Sequence, residues 1–194
     1  MFWLFIVQTT VMFGMALTQV VNQIYALNVL GITLEQWWLV FIPLLLTIVM
    51  ASIPIGKTVD TFGRKRPLIG GVIVFAAATL IFANGDFLTV MVSMIFFGVA
   101  QLLVMSAAMA LATDLVDPVN RGKVVGFRNF VGYIVMGFGM LLGNFLYIEG
   151  SALGIPQLPF YTAFGLVIPQ LLIIVLLVHE PRERVGMTTA SPSP

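Results

Sequence analysis

Residues 37–68 read WWLVFIPLLLTIVMASIPIGKTVDTFGRKRPL. The first twenty, Trp37–Gly56, carry no charge. The next twelve hold Lys57, Asp60, Arg64, Lys65 and Arg66. A helix needs about 20 apolar residues to cross about 30 Å of hydrocarbon. The stretch therefore reads as one membrane crossing followed by a charged turn in water.

The same pattern extends in both directions. Six apolar runs are expected as helices: Phe2–Leu30, Trp37–Gly56, Pro67–Ala83, Phe87–Ala112, Val124–Tyr147 and Pro159–Val178. Turn formers separate them at Gly31-Ile32-Thr33, Asn84-Gly85-Asp86, Asp117-Pro118 and Gly150 through Pro159. Barrel strands would alternate apolar and polar residues over about 10 positions. These runs do not alternate, so the fold class is all-α and integral to a membrane, with six transmembrane helices. Residues 1–180 are expected to form the bundle, and residues 181–194 a polar cytoplasmic tail without fixed structure. The first run opens at Met1 with no polar lead, as though the front were cut. The tail MTTASPSP reads as a natural end.

Composition excludes the main alternatives. Of 194 residues, 60% are hydrophobic and 9% charged, against about 25% charged in soluble domains. The net charge of +1 is too small for a nucleic-acid partner. With no cysteine, disulfides, cysteine-ligated zinc and thiol catalysis are excluded. No cofactor and no metal are expected. Six-helix serine proteases need a nucleophile and a histidine together in the bundle. Here Ser151 and His179 fall at opposite membrane faces. No intramembrane His/Asp/Glu cluster offers a metal hydrolase site. The short basic loops suggest no coupling helix for a separate ATPase. An enzyme is not expected.

Charge sets the expected orientation. Lys57, Arg64, Lys65 and Arg66 are assigned between helices two and three, and Arg121, Lys123 and Arg128 between four and five. Arg182 and Arg184 follow helix six. The alternate connections hold only Glu35, Asp86 and Glu149. By the positive-inside rule, both termini are cytoplasmic. No ionisable residue is expected at mid-membrane, where one would mark an ion or proton site. His179 is read as interfacial.

The turn Gly56-Lys-Thr-Val-Asp60-Thr-Phe-Gly63-Arg64-Lys65-Arg66 is the most informative. Gly56 is expected to end helix two at a close backbone approach, and Gly63 to permit a tight turn. Asp60 can accept from orphan helix amides and pair with a cation. The basic residues can reach neighbouring helix ends. A plain topology-setting loop explains the charges equally well.

This segment resembles the signature loop of the major facilitator superfamily, G-x-L-x-D-[RK]-x-G-[RK]-[RK]. Gly56, Asp60, Gly63, Arg64 and Lys65 match in spacing. Thr58 and Thr61 depart from it, in the manner of a second-half copy. Asp114 and Arg121 resemble the family's acidic-basic pair after helix four. Glu180-Pro181-Arg182 is similar to a stretch that ends each half in several branches. The resemblance implies a cytoplasmic salt-bridge lattice of Asp60, Arg64, Asp114, Arg121, Glu180 and Arg182. Such a lattice holds when the transporter faces outward and breaks when it faces inward. That family normally has twelve helices in two halves. The chain then supplies one half, expected to be the C-terminal one. It would move a small solute by alternating access, with an N-terminal half or a second copy of itself as partner. The alternatives are a half-size homodimer and a non-transporting fragment. A prokaryotic plasma membrane is the expected location. Any proton carrier belongs to the other half. Drug exporters, sugar carriers and organic-anion carriers share these loops, so the loops do not specify the substrate.

Helix one carries Gln8, Gln19, Asn22 and Gln23 within about 60° of one direction. Lipid would penalise that stripe. It either lines a cavity or bonds neighbouring helices. Helix four shows Met91, Met94, Gly98, Gln101, Met105 and Met109 on one face, which suits an adaptable site but also ordinary packing. Gln101 joins the candidate cavity residues. Gly139-x3-Gly143 on helix five reads as a small-residue packing face. It does not match the G-P-x-x-G-G pattern of antiporter branches. Pro43, Pro54 and Pro169 are candidate kinks.

Overall fold

Every expected crossing is helical in the computed structural model, which describes residues 2–114 and 118–177. The helices are α1 (Phe2–Gln19), α2 (Val21–Asn28), α3 (Leu34–Phe62), α4 (Lys65–Ala83), α5 (Phe87–Asp114), α6 (Arg121–Ala152), α7 (Leu158–Gly165) and α8 (Val167–Leu177). A single 3-10 turn, Pro118–Asn120, precedes α6. Five segments are long and apolar enough to span a bilayer: Leu34–Phe62, Lys65–Ala83, Phe87–Leu111, Gly122–Ala152 and Leu158–Leu176. The first expected crossing is occupied by α1 and α2, which meet at Val20. The chain is an all-α integral membrane protein.

The breaks have local causes. Gly31, Gly63 and Gly154 take φ of 67°, 81° and 76°, a region closed to most side chains. Thr33 and Gln36 form a reciprocal capping box at the start of α3. Asp86 accepts from the Thr89 amide at 2.9 Å and its hydroxyl at 2.6 Å, starting α5. The last crossing divides at Leu166, three residues before Pro169. The proline ring crowds the carbonyl four residues earlier, at Gly165. In α3 the Thr47 and Thr58 hydroxyls donate to the carbonyls of Pro43 and Pro54 at 2.7 and 2.8 Å.

Two expectations about helix ends are corrected. Helix two does not stop at Gly56; α3 runs on to Phe62. No neighbour lies within 4 Å of where a Gly56 side chain would begin, so there is no close approach. The added turns carry charge because they leave the hydrocarbon, where a helix needs no apolar surface. Likewise α6 begins at Arg121, so Arg128 lies two turns inside a membrane helix and not in a loop.

Close contacts fix the helix directions. A Cβ at Gly139 would lie 2.8 Å from Ala16 Cβ and 3.0 Å from the Phe13 carbonyl oxygen. Gly132 meets the Met12 sulfur, and Gly143 lies directly on the Leu17 backbone. These contacts advance together, so α1 and α6 are parallel. Three crossings intervene, and strict alternation requires that result. Lys65 Nζ donates to the Val175 carbonyl at 2.7 Å, and Tyr161 Oη to Asn84 Oδ1 at 3.2 Å. The last crossing is therefore antiparallel to α4.

Helix α4 is the most enclosed span, packed on α5, α7 and α8. At the end remote from the basic turn, the Tyr25, Phe82 and Phe160 rings cluster, with Tyr25 Oη donating to the Ala83 carbonyl at 2.6 Å. Helices α3 and α6 stand at the margins. Val49, Met50 and Ile53 on α3 are 70% or more exposed, which only a lipid environment makes favourable.

Candidate functional site

Helix α3 packs on α5, and α1 packs on α6, while α1 and α5 barely touch. Between them opens a cavity of about 990 Å³. Its floor is α1 and α5, and its flanks come from α3 and α6, with Asn22 of α2 and Leu68 and Phe75 of α4 completing the wall. The lining is mostly apolar. Met12 and Met15 face Met94, Met105 and Met109, with Trp37, Phe41, Phe75 and Phe97 beside them. Unbranched thioethers adapt to differently shaped ligands.

Of the candidate cavity residues, Gln19, Asn22 and Gln101 lie in the wall. Gln23 does not; it is exposed outside it. The amide stripe is broad, and Asn22 and Gln23 sit 100° apart at its two edges. Met12 and Ala16 flank the Gln23 direction and do line the wall, but the helix breaks at Val20 between α1 and α2, so the stripe does not run on unchanged to Gln23. The Gln8 side chain lies outside those described. On α5, Met94, Gln101, Met105 and Met109 reach the cavity. Met91 packs in the apolar cluster at the Tyr25 end. Gly98 instead admits Thr47, whose Cγ2 would be 3.1 Å from an added Cβ.

At the basic turn, Asp60 Oδ1 and Arg64 Nη1 are 3.7 Å apart, one helical turn from each other. Asp60 is 78% exposed, so the pair is worth about 0–1 kcal/mol. Arg64 Nη1 also donates to the Val59 carbonyl at 3.2 Å, and Gly63 makes the turn. Lys65 reaches the Val175 carbonyl of α8. Cations toward the C-terminal side of a helix complement its dipole. The side chains of Asp114 and Arg121 lie outside those described, as do Glu180 and Arg182 altogether.

Two polar residues escaped the sequence reading. Gln170 is 2% exposed, and its Nε2 donates to the Thr10 carbonyl at 3.0 Å. It fits because Gly14 leaves it space. Its signal was a lone amide in an otherwise apolar run. Arg128 is 7% exposed and lines the cavity. Its Nη1 donates to the Ala108 carbonyl at 3.2 Å, and its Nη2 lies 3.6 Å from Met109 Sδ. Its signal was a position inside the fifth apolar run, four residues past that run's start.

The Major Facilitator Superfamily profile matches residues 4–193. The chain belongs to the Major Facilitator Superfamily. Its relatives there are transporters and not enzymes. It is 29% identical over 129 residues to multidrug resistance protein 2 of Bacillus subtilis (strain 168). That match covers 64% of this chain and 30% of the relative. It is 28% identical over 135 residues to the quinolone resistance protein NorA of Staphylococcus aureus, covering 67% of this chain and 33% of that protein. The matched part of the chain thus spans about a third of the length of each curated relative.

Proposed function

We propose that this chain is one six-helix half of an alternating-access transporter for small amphipathic organic solutes. The carrying observation is the open cavity between α1 and α5, apolar and methionine-rich with a few amides at its wall. A single bundle leaves that wall open on one side. A second six-helix body closing it would enclose a solute near mid-membrane, and rocking of the two bodies would expose it to each side in turn. The second body is an N-terminal half or another copy of the chain. The names of the relatives, multidrug and quinolone resistance, support outward movement of drug-like compounds. The basic turn supports a cytoplasmic placement for that end, and the bacterial relatives support a prokaryotic plasma membrane. The charges of Asp60, Arg64, Asp114, Arg121, Glu180 and Arg182 would tie the cytoplasmic helix ends in one state and part in the other.

The test is accumulation of the fluorescent quinolone norfloxacin, which carries a carboxylate, in efflux-deficient bacteria expressing the chain. Lower accumulation than in vector controls is expected, reversed by Met105→Trp, which narrows the cavity. Equal accumulation, with no norfloxacin bound by the purified chain in lipid nanodiscs, would overturn the reading.

A further inference from the structure

We propose that Arg128 recognises an acidic group, so that the cavity selects amphipathic organic anions, carboxylates above all. This inference rests on the cavity being a solute site.

Arg128 is the only charged residue among the described residues that line the cavity. A guanidinium offers five N–H donors. Here two nitrogens meet a carbonyl oxygen and a thioether sulfur, both neutral. The buried Nε has no partner. The positive charge is thus held in place, and among the described residues no acidic side chain balances it. A buried cation without an anion is costly, and cations inside membrane bundles mark ligand or ion paths. The guanidinium fork matches a carboxylate in two parallel bonds. Met105, Met109, Val125 and Met136 lie in the same wall and suit an apolar body attached to the acid.

Placement along the bundle sharpens the class. Gly139 sits against Ala16 in parallel helices. Arg128 and Asn22 therefore lie on opposite sides of that crossing, roughly 25 Å apart along the axis at 1.5 Å per residue. The cation is at the end of the cavity nearer the basic turn, and the amides of Gln19 and Asn22 are at the other. A small solute reaches one end at a time. An acid docked at Arg128 directs its apolar part toward the methionines at the middle.

The experiment compares 1-naphthylacetate with its methyl ester, binding to the full chain in phosphatidylcholine nanodiscs. Wild type is expected to prefer the acid about tenfold, the scale of a charge-assisted bond. Arg128→Gln should abolish that ratio, and Arg128→Lys should keep part of it. Circular dichroism and gel filtration verify that both variants fold. An unchanged ratio in folded Arg128→Gln overturns the assignment, as does an equal loss for acid and ester. Loss of the ratio in wild type on adding phosphatidylglycerol would assign Arg128 to a lipid headgroup and overturn the solute. If neither probe binds wild type, the cavity is no solute site and both readings fall.

Discussion

Lys65 Nζ donates to the Val175 carbonyl at 2.7 Å, joining the first turn of α4 to the last described turn of α8. The two residues are 110 apart in sequence. A carbonyl oxygen has a second lone pair to offer, and a cation toward the C-terminal side of a helix meets the negative part of its dipole. The basic turn therefore does structural work within this half. Lys65→Met keeps the aliphatic stem and removes the donor. It should cost about 1 kcal/mol. Amide exchange over Leu172–Leu177 should speed up, while exchange in α5 stays as it was. Unaltered exchange in α8 would show that the bond is not formed in the membrane.

The α1–α6 crossing is the least forgiving contact in the bundle. Gly143 lies on the Leu17 backbone, which cannot rotate aside. At Gly132 the neighbour is the flexible end of Met12, and at Gly137 nothing lies within 4 Å. Gly143→Ala should lose roughly 1–3 kcal/mol, the usual cost of overpacking. Gly132→Ala should lose less, and Gly137→Ala should be neutral or slightly stabilising. Thermal unfolding in detergent ranks the three. A Gly143→Ala protein as stable as Gly137→Ala would refute the close crossing.

Much of this was legible in the sequence, for identifiable reasons. The crossings showed because lipid demands continuous apolar surface. The turns at Gly31 and Gly63 showed because few other residues accept their φ. The end of α3 did not show, because water on either side of the membrane tolerates helix and loop alike. Lys57 and Asp60 sit in helix there without penalty. Arg128 was misplaced because charge was read as a loop marker. Its carbonyl and thioether partners come from α5, twenty and nineteen residues earlier. Gln170 escaped because its partner Thr10 is 160 residues away. Only the folded bundle brings such pairs together.

Asp86 provides a pH test outside the spans. The Thr89 hydroxyl, and then the Thr89 amide, hold its carboxyl below the usual carboxylate value. A depressed folded pKa means stability that is present above the unfolded value and lost as pH falls through the folded one. Thr89→Val removes the hydroxyl but keeps the amide. The Asp86 pKa should then rise part of the way back, and the start of α5 should fray at higher pH than in wild type. Carboxyl NMR titration reads the shift. No movement would mean that the hydroxyl bond is absent.

The absence of cysteine makes the cavity directly measurable. Met105 lies in the cavity wall on α5. Met50 is more exposed than Met105 in the isolated chain, yet it lies on the α3 face opposite Phe41, nine residues on and about 180° around. Exposure alone predicts that a thiol at position 50 reacts faster. A bilayer predicts the reverse, because Met50 then faces hydrocarbon and Met105 faces a cleft that admits water. Met105→Cys should therefore react with a membrane-impermeant maleimide at least about tenfold faster than Met50→Cys in lipid nanodiscs, since a thiolate forms in water and not in hydrocarbon. In detergent the gap should narrow. Faster labelling of Met50→Cys in lipid would place the solvent-filled side of the bundle on α3, and the cavity between α1 and α5 would lose its claim to be the transport path.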